Sequence, residues 1–206
     1  MPYPTLQKRP VLHSFSLIEL LVVMAIASVL AVISISAFTQ VTRAAALSTG
    51  TQIIKGELDF ARQTAITRNS SVEFRLYQMP DASGSFKNYA AFQTFLITSA
   101  GTNALTKVSY FPQLVGVSTN SALTSLTSLG SVTGATLNQP LPIYKQNYNA
   151  LTFRFSSKGS LQLDVTKQWF ATLVMLNDPL KANGLPNNFS VIQMDPVTGQ
   201  TSIYRP

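Results

Sequence analysis

Between Glu19 and Arg43 the chain runs for 23 residues without a charge, and from Leu20 to Phe38 only Ser28, Ser34 and Ser36 interrupt the apolar run. At about 1.5 Å of rise per residue, such a helix matches the roughly 30 Å hydrocarbon core of a bilayer. The sequence therefore predicts a single membrane-spanning segment. Lys8 and Arg9 precede it, whereas a lone Arg43 follows in a neutral stretch, which orients the N-terminus toward the cytoplasm and the bulk of the chain outside. A cleaved secretory signal could use Ala44-Ala45-Ala46 as its small-residue site, but its apolar region should be only about 7–15 residues long. A plain anchor fits the length. Neither explains Glu19, a carboxylate at the edge of the span that costs a few kcal/mol in lipid unless it is paired.

The residues around that acid carry a resemblance. Ser14-Phe15-Ser16-Leu17-Ile18-Glu19-Leu20-Leu21-Val22-Val23-Met24-Ala25-Ile26 resembles the N-terminal cleavage and methylation motif of type IV prepilins and type II secretion pseudopilins. The resemblance implies that prepilin peptidase cuts between Ser14 and Phe15, that Phe15 becomes the N-methylated first residue, and that Glu19 serves assembly. There the Glu19 carboxylate would pair with the α-amino group of a neighbouring subunit, neutralising two charges that are each expensive in lipid. The family usually carries Gly before the cut, and Ser14 stands in its place here. Further along, Ala61-Arg62-Gln63-Thr64-Ala65-Ile66-Thr67-Arg68-Asn69-Ser70-Ser71-Val72 resembles the helix-to-strand junction of minor pseudopilins of the general secretion pathway protein H type. Together with Tyr148 to Phe155, Trp169-Phe170, Ile192 to Gly199 and Tyr204-Arg205-Pro206, it is similar to the Verru_Chthon cassette protein D family of prepilin-like proteins. The partners implied are prepilin peptidase, other pilin or pseudopilin subunits, the inner-membrane assembly machinery and lipid. The implied location is the inner membrane, with an extracytoplasmic head, and a filament after assembly.

Beyond Val41 the helical pattern continues. Leu47, Ile54, Leu58, Ala61 and Ala65 recur at the spacing of one buried stripe, Glu57, Asp59, Arg62 and Arg68 fall off it as solvated positions, and Asn69-Ser70-Ser71 is a stop signal. Gly50 and Gly56 weaken the helix without ending it. The expected organisation is a leader over 1–14, a membrane or filament-core helix over 15–40, an amphipathic continuation over 41–68 and a β-rich head over 69–206. The fold class is α+β, a long N-terminal helix followed by an antiparallel pilin-like head. Strict alternation over Val72 to Tyr77 predicts a strand with one buried face. Further strands are expected at Tyr89–Thr98, Thr106–Phe111, Ala150–Phe155 and Trp169–Leu176. Asp195-Pro196-Val197-Thr198-Gly199 joins a final hairpin of Phe189–Met194 and Thr201–Tyr204. The segment 118–134 reads as either a loop or a short helix, and Asn177 to Asn188 as a loop.

Little in the head suggests catalysis. The chain has no Cys and a single His, His13, which would leave with the leader, so thiolate chemistry, Cys-ligated zinc and a Ser-His-Asp site are excluded. Glu57, Asp59, Glu73, Asp81, Asp164, Asp178 and Asp195 are scattered in sequence and read as surface and turn residues. No cofactor is expected, and the function read from the sequence is a non-enzymatic structural subunit. Charged residues make up 11% of the chain, against roughly 25% in ordinary soluble domains, and the gap is filled by uncharged polar residues, as in exported β-rich domains. Loss of Lys8 and Arg9 would leave 13 basic residues against 8 acidic, a net charge of +5. A DNA- or surface-binding head is therefore the alternative, with Arg62, Arg68, Arg154 and Lys158 as candidate nucleic-acid contacts, although these cations form no clustered run.

Overall fold

The computed structural model describes residues 16–81, 83–176 and 184–205, with the side chains of 32–37 outside the description. Ser14, Phe15 and Asp178 also lie outside it. The chain divides into two compact units, Met1–Thr42 and Arg43–Pro206. One helix, α1, is assigned over Leu17–Thr67.

Within the first unit α1 has no polar face. Leu17, Ile18, Leu20, Leu21, Val22, Val23, Met24, Ile26, Val29 and Leu30 are all exposed, at every angular position around the helix. The Ser28 hydroxyl donates to the Ala25 carbonyl at 2.8 Å, so its one polar group is satisfied without water. Among the described residues no helix is long and apolar enough to cross a membrane. The uncharged run behind that expectation includes residues 32–37, whose side chains are not described.

In the second unit the helix stripe is buried as its spacing predicts: Leu47, Ile54, Leu58, Ala61 and Ala65 all lie in the main core cluster. Thr51 extends the stripe, fully buried, its hydroxyl donating to the Leu47 carbonyl at 2.8 Å. The helix ends at Thr67, one residue before the expected limit. Ser70 N–H donates to the Ala65 carbonyl and Asn69 N–H to the Ile66 carbonyl, each at 3.2 Å, with Asn69 in the left-handed region at φ 45°. These two bonds form a Schellman stop in which Asn takes the usual place of Gly.

The stripe packs on one antiparallel sheet. Its strands are β1 (Val72–Pro80), β2 (Phe86–Thr98), β3 (Gly101–Ala104), β4 (Ser109–Tyr110), β5 (Val115–Val117), β6 (Val132–Thr133), β7 (Asn149–Phe155), β8 (Trp169–Met175), β9 (Phe189–Met194) and β10 (Thr201–Tyr204). The order is β10-β9-β8-β5-β2-β1-β7-β6, with β3 and β4 also paired to β2. Strand β1 lies inside the sheet between β2 and β7, with Phe74 opposite Thr94 of β2 and Phe153 of β7. Phe74 stacks on Phe92 at 5.8 Å and tilts against Phe153 at 5.3 Å, on the face that receives the helix.

The structure corrects the reading of β1 as one-sided. Glu73, Arg75 and Tyr77, on the opposite face, are buried too. A second cluster of Tyr77, Met79, Ala91, Phe95, Leu141, Tyr148 and Ala150 covers this back face. The strand expected over Thr106–Phe111 shrinks to Ser109–Tyr110, because Leu105 and Thr106 N–H groups both donate to the single Thr94 carbonyl. The undecided segment 118–134 holds a short 3-10 helix, Ser125–Leu129, and strand β6. The final hairpin forms over the expected residues, with Thr201 opposite Met194 and Gly199 at φ 66°.

The two helix glycines separate cleanly. A Cβ on Gly50 would sit 3.1 Å from Val115 Cγ1 and 3.4 Å from Pro112 Cδ, so Gly50 marks a close approach of the helix to β5. A Cβ on Gly56 meets nothing within 4 Å. Thermal unfolding is therefore expected to show Gly56→Ala gaining about 0.5–1 kcal/mol from helix propensity alone. Gly50→Ala should gain nothing or lose stability, since β5 must give way to it.

Candidate assembly site and the ionic centre of the head

In the first unit the described part of the motif begins at Ser16. The N–H groups of Glu19 and Leu20 donate to the Ser16 carbonyl at 3.1 and 3.2 Å, which starts α1 there and puts Glu19 in its first turn. Ser16-Leu17-Ile18-Glu19 has the spacing of a capping box, and a carboxylate at a helix N-terminus faces the positive end of the helix dipole. Local helix physics thus favours an acid at this position, independently of any partner. Sequence reasoning had missed this second reason for Glu19.

In the second unit, four side chains read as solvated or as candidate DNA contacts also bond within the head, although Asp59 and Arg154 keep about half of their side chains in water. Glu57 Oε1 accepts from Thr94 Oγ1 at 2.7 Å and from Thr106 Oγ1 at 2.8 Å. Asp59 accepts from Thr201 Oγ1 at 2.9 Å, and Arg62 Nε donates to the Thr198 carbonyl at 2.8 Å. These three side chains flank the buried stripe and tie the helix to β2 on one side and the last hairpin on the other. Arg154 is held by Glu73. Arg68 and Lys158 are exposed, so two of the four candidate cations are engaged internally.

Sequence reasoning also missed the ionic centre on the back of the sheet. Arg75 Nε and Arg154 Nε donate to the two oxygens of Glu73 at 2.6 and 2.7 Å. The Arg75 guanidinium lies 4.0 Å from the Phe95 ring centre and donates to Gln139 Oε1 at 3.3 Å. Glu73 and Arg75 side chains are 6% and 4% exposed, whereas Arg154 is 48% exposed. The register explains the triad, since Glu73 faces Arg154 directly across β1 and β7 and Arg75 follows two residues along the same face. Next to it, burial pushes the Tyr77 phenol well above its ordinary range, with Arg75 opposing the shift.

The remaining acids do turn work. The hydroxyl of Ser83 and the ammonium of Lys87 hold the Asp81 carboxyl well below its usual range. Hydroxyl bonds from Thr166 and Thr198 do the same for Asp164 and Asp195. Among the described residues no group of three or more His, Asp or Glu side chains is placed to hold a metal ion. Trp169 is buried, its indole N–H donating to the Asp164 carbonyl at 2.8 Å, so it belongs to the core.

Residues 13–35 match the family description "prokaryotic N-terminal methylation motif". No curated protein sequence matches the chain. Among solved structures, the chain is similar to the type IV minor pilin FimU of Pseudomonas aeruginosa, with TM-score 0.43 and 11% identity, over 82% of this chain and 96% of that one. It is also similar to the minor pseudopilin EpsH from the type 2 secretion system of Vibrio cholerae, with TM-score 0.42 and 9% identity, over 78% and 97%. The motif match spans residues 13–35 alone, and the described residues have the expected α+β order of one long helix followed by an antiparallel sheet.

Glu73 is the residue on which the ionic centre turns. Glu73→Gln is expected to cost about 3–5 kcal/mol in chemical unfolding, because Arg75 stays buried without a counter-charge. Arg154→Ala should cost about 1 kcal/mol or less, since that guanidinium is half in water.

Proposed function

We propose that this chain is a structural minor pilin or pseudopilin-like subunit. In this reading prepilin peptidase cuts it between Ser14 and Phe15, Phe15 is N-methylated, and the subunit enters a type IV pilus or type II secretion-like filament from the inner membrane. The observation that carries the reading is the match of residues 13–35 to the methylation motif, which takes in the start of the helix, where Leu17 to Leu30 expose apolar side chains on every side. A helix hydrophobic all round needs lipid or other helices around it. Before assembly the bilayer supplies that cover, with the leader in the cytoplasm and the head outside. After assembly, neighbouring subunits supply it. Glu19 then sets register by pairing with the α-amino group of an adjacent Phe15.

The DNA-binding alternative is not adopted. Arg62 and Arg154 are each tied through Nε to Thr198 and Glu73, and Arg68 and Lys158 are exposed, so the four cations form no single basic patch built for a phosphate backbone.

Intact mass and N-terminal sequencing of the protein from its native membranes test the processing step. The expected result is a chain that begins at Phe15 and carries one extra methyl group. A start near Leu47 would make it a secreted domain and an intact Met1 a plain anchor, and either result overturns the proposal. In the same membranes Glu19→Ala should insert normally yet enter filaments several-fold less well, which quantitative blotting of sheared filaments would read. Equal incorporation of both forms would remove the role given to Glu19.

A further inference from the structure

A groove of about 610 Å³ lies on the back of the sheet, between the segment 104–110 and the turn 139–142. Its walls are apolar, with the half-exposed ring of Tyr110 facing a rim that includes Pro140 and Pro142. Its polar side chains are oriented by bonds behind them. Arg75 donates to Gln139 Oε1, which leaves Gln139 Nε2, without a side-chain partner among the described residues, to point away from Arg75. Tyr77 donates to Gln93 Oε1 at 3.1 Å and Gln93 Nε2 donates to the Thr106 carbonyl at 2.8 Å, so one Gln93 N–H remains. Lys107 lines the groove and makes no ion pair or side-chain hydrogen bond among the described residues. The Tyr110 hydroxyl can donate as well.

The groove thus offers hydrogen-bond donors from Gln93, Gln139 and Tyr110 together with the ammonium of Lys107. No acidic side chain lines it. Such a lining rejects cations and leaves the acceptors of a neutral polar ligand only partly matched, whereas an anion with an apolar body fits both the donors and the walls. We propose that this groove is a binding site for an organic carboxylate carried on a flat apolar body, with the carboxylate between Lys107 and Gln139 and the body against Tyr110. This inference stands on the head alone and is independent of processing or filament entry.

The test is titration calorimetry of the full-length protein in neutral detergent, with 3-phenylpropionate as probe and 3-phenylpropionamide as its uncharged counterpart. The anion is expected to bind with a millimolar Kd, as suits a ligand of about a dozen atoms, and the amide at least tenfold more weakly. Lys107→Met and Tyr110→Ala should each weaken the anion about fivefold or more. Gln139→Glu is the sharper variant, because it keeps an acceptor for Arg75, and with it the melting temperature, while replacing the donor with a negative charge. It should abolish anion binding. Equal binding of anion and amide, indifference to Lys107→Met, undiminished binding by Gln139→Glu at unchanged melting temperature, or no heat with either probe up to 20-fold above the expected millimolar range would each overturn the assignment.

Discussion

Burial of one helix stripe on one face of one sheet is the interaction on which the rest of the head depends. The sheet is a single layer, and its front face, built from Val72, Phe74, Leu76, Phe92, Phe153, Phe155 and Leu173, is covered by Leu47, Ile54, Leu58, Ala61 and Ala65. Each fully buried aliphatic or aromatic side chain contributes about 1.5–3 kcal/mol, so this face outweighs any other set of contacts in the head. Apolar contact is not directional, however, and would tolerate sliding of the helix. Glu57, Asp59 and Arg62, bonded to Thr94, Thr201 and Thr198, supply the direction. At the far end, Gly159 and Gly199 let two turns close over the helix. A Cβ on Gly159 would stand 2.7 Å from Ile66 Cδ1, and one on Gly199 would overlap the Gly159 carbonyl.

The back face is organised on a different principle. A central strand carrying Glu73 and Arg75 pays a desolvation cost that an apolar pair would avoid. What the charges contribute is register. A slip of β1 by one residue would drive both side chains into the aromatic front cluster and lift Phe74 away from Phe92 and Phe153. Arg154 on β7 and the Phe95 ring on β2 then fix both neighbours of β1 around the same carboxylate. The same centre shapes the groove on this face, because the Arg75 bond decides which way Gln139 faces.

What was legible in the sequence follows from this division. The helix stripe, its stop and the last hairpin are local patterns, and each formed where its periodicity or turn chemistry placed it. The polar tethers were not legible, because Glu57 and Thr94, or Asp59 and Thr201, are brought together only by the fold. The triad was half visible: Glu73 and Arg75 were read as the wet face of an alternating strand, and nothing local announced that residues 134–148 would cover them. Segment 118–134 stayed ambiguous for a physical reason. Strand β5 has only three residues, Val115 to Val117, which pair with Met175 to Leu173 and leave the next part of β8 without a full partner strand on that edge. There Thr124 Oγ1 accepts from Thr172 N–H at 3.3 Å and Ser125 Oγ from Phe170 N–H at 2.7 Å. Hydroxyl side chains stand in for a strand, so the segment has neither helical nor strand periodicity. At the other end of the chain, the reading of Ser14 and Phe15 rests on the motif alone, since both lie outside the described residues.

The first unit poses the complementary energetic question. Ten large apolar side chains between Leu17 and Leu30 stand exposed on a helix with no polar face. If half of their surface were removed from water, the gain would be on the order of 10–20 kcal/mol, as large as the whole folding stability of a typical domain. A segment with that much to gain is controlled by its surroundings rather than by its own hydrogen bonds. The backbone groups are already satisfied within the helix, and Ser28 satisfies itself, so transfer into an apolar environment carries almost no polar cost. Glu19 is the exception. It is the one ionisable group among the described residues of that run, and it sits where the helix N-terminus offsets part of its charge. Of all positions in that run, the first helical turn is where a carboxylate costs least, because the unpaired N–H groups and the positive end of the helix dipole offset part of its charge before any partner is counted.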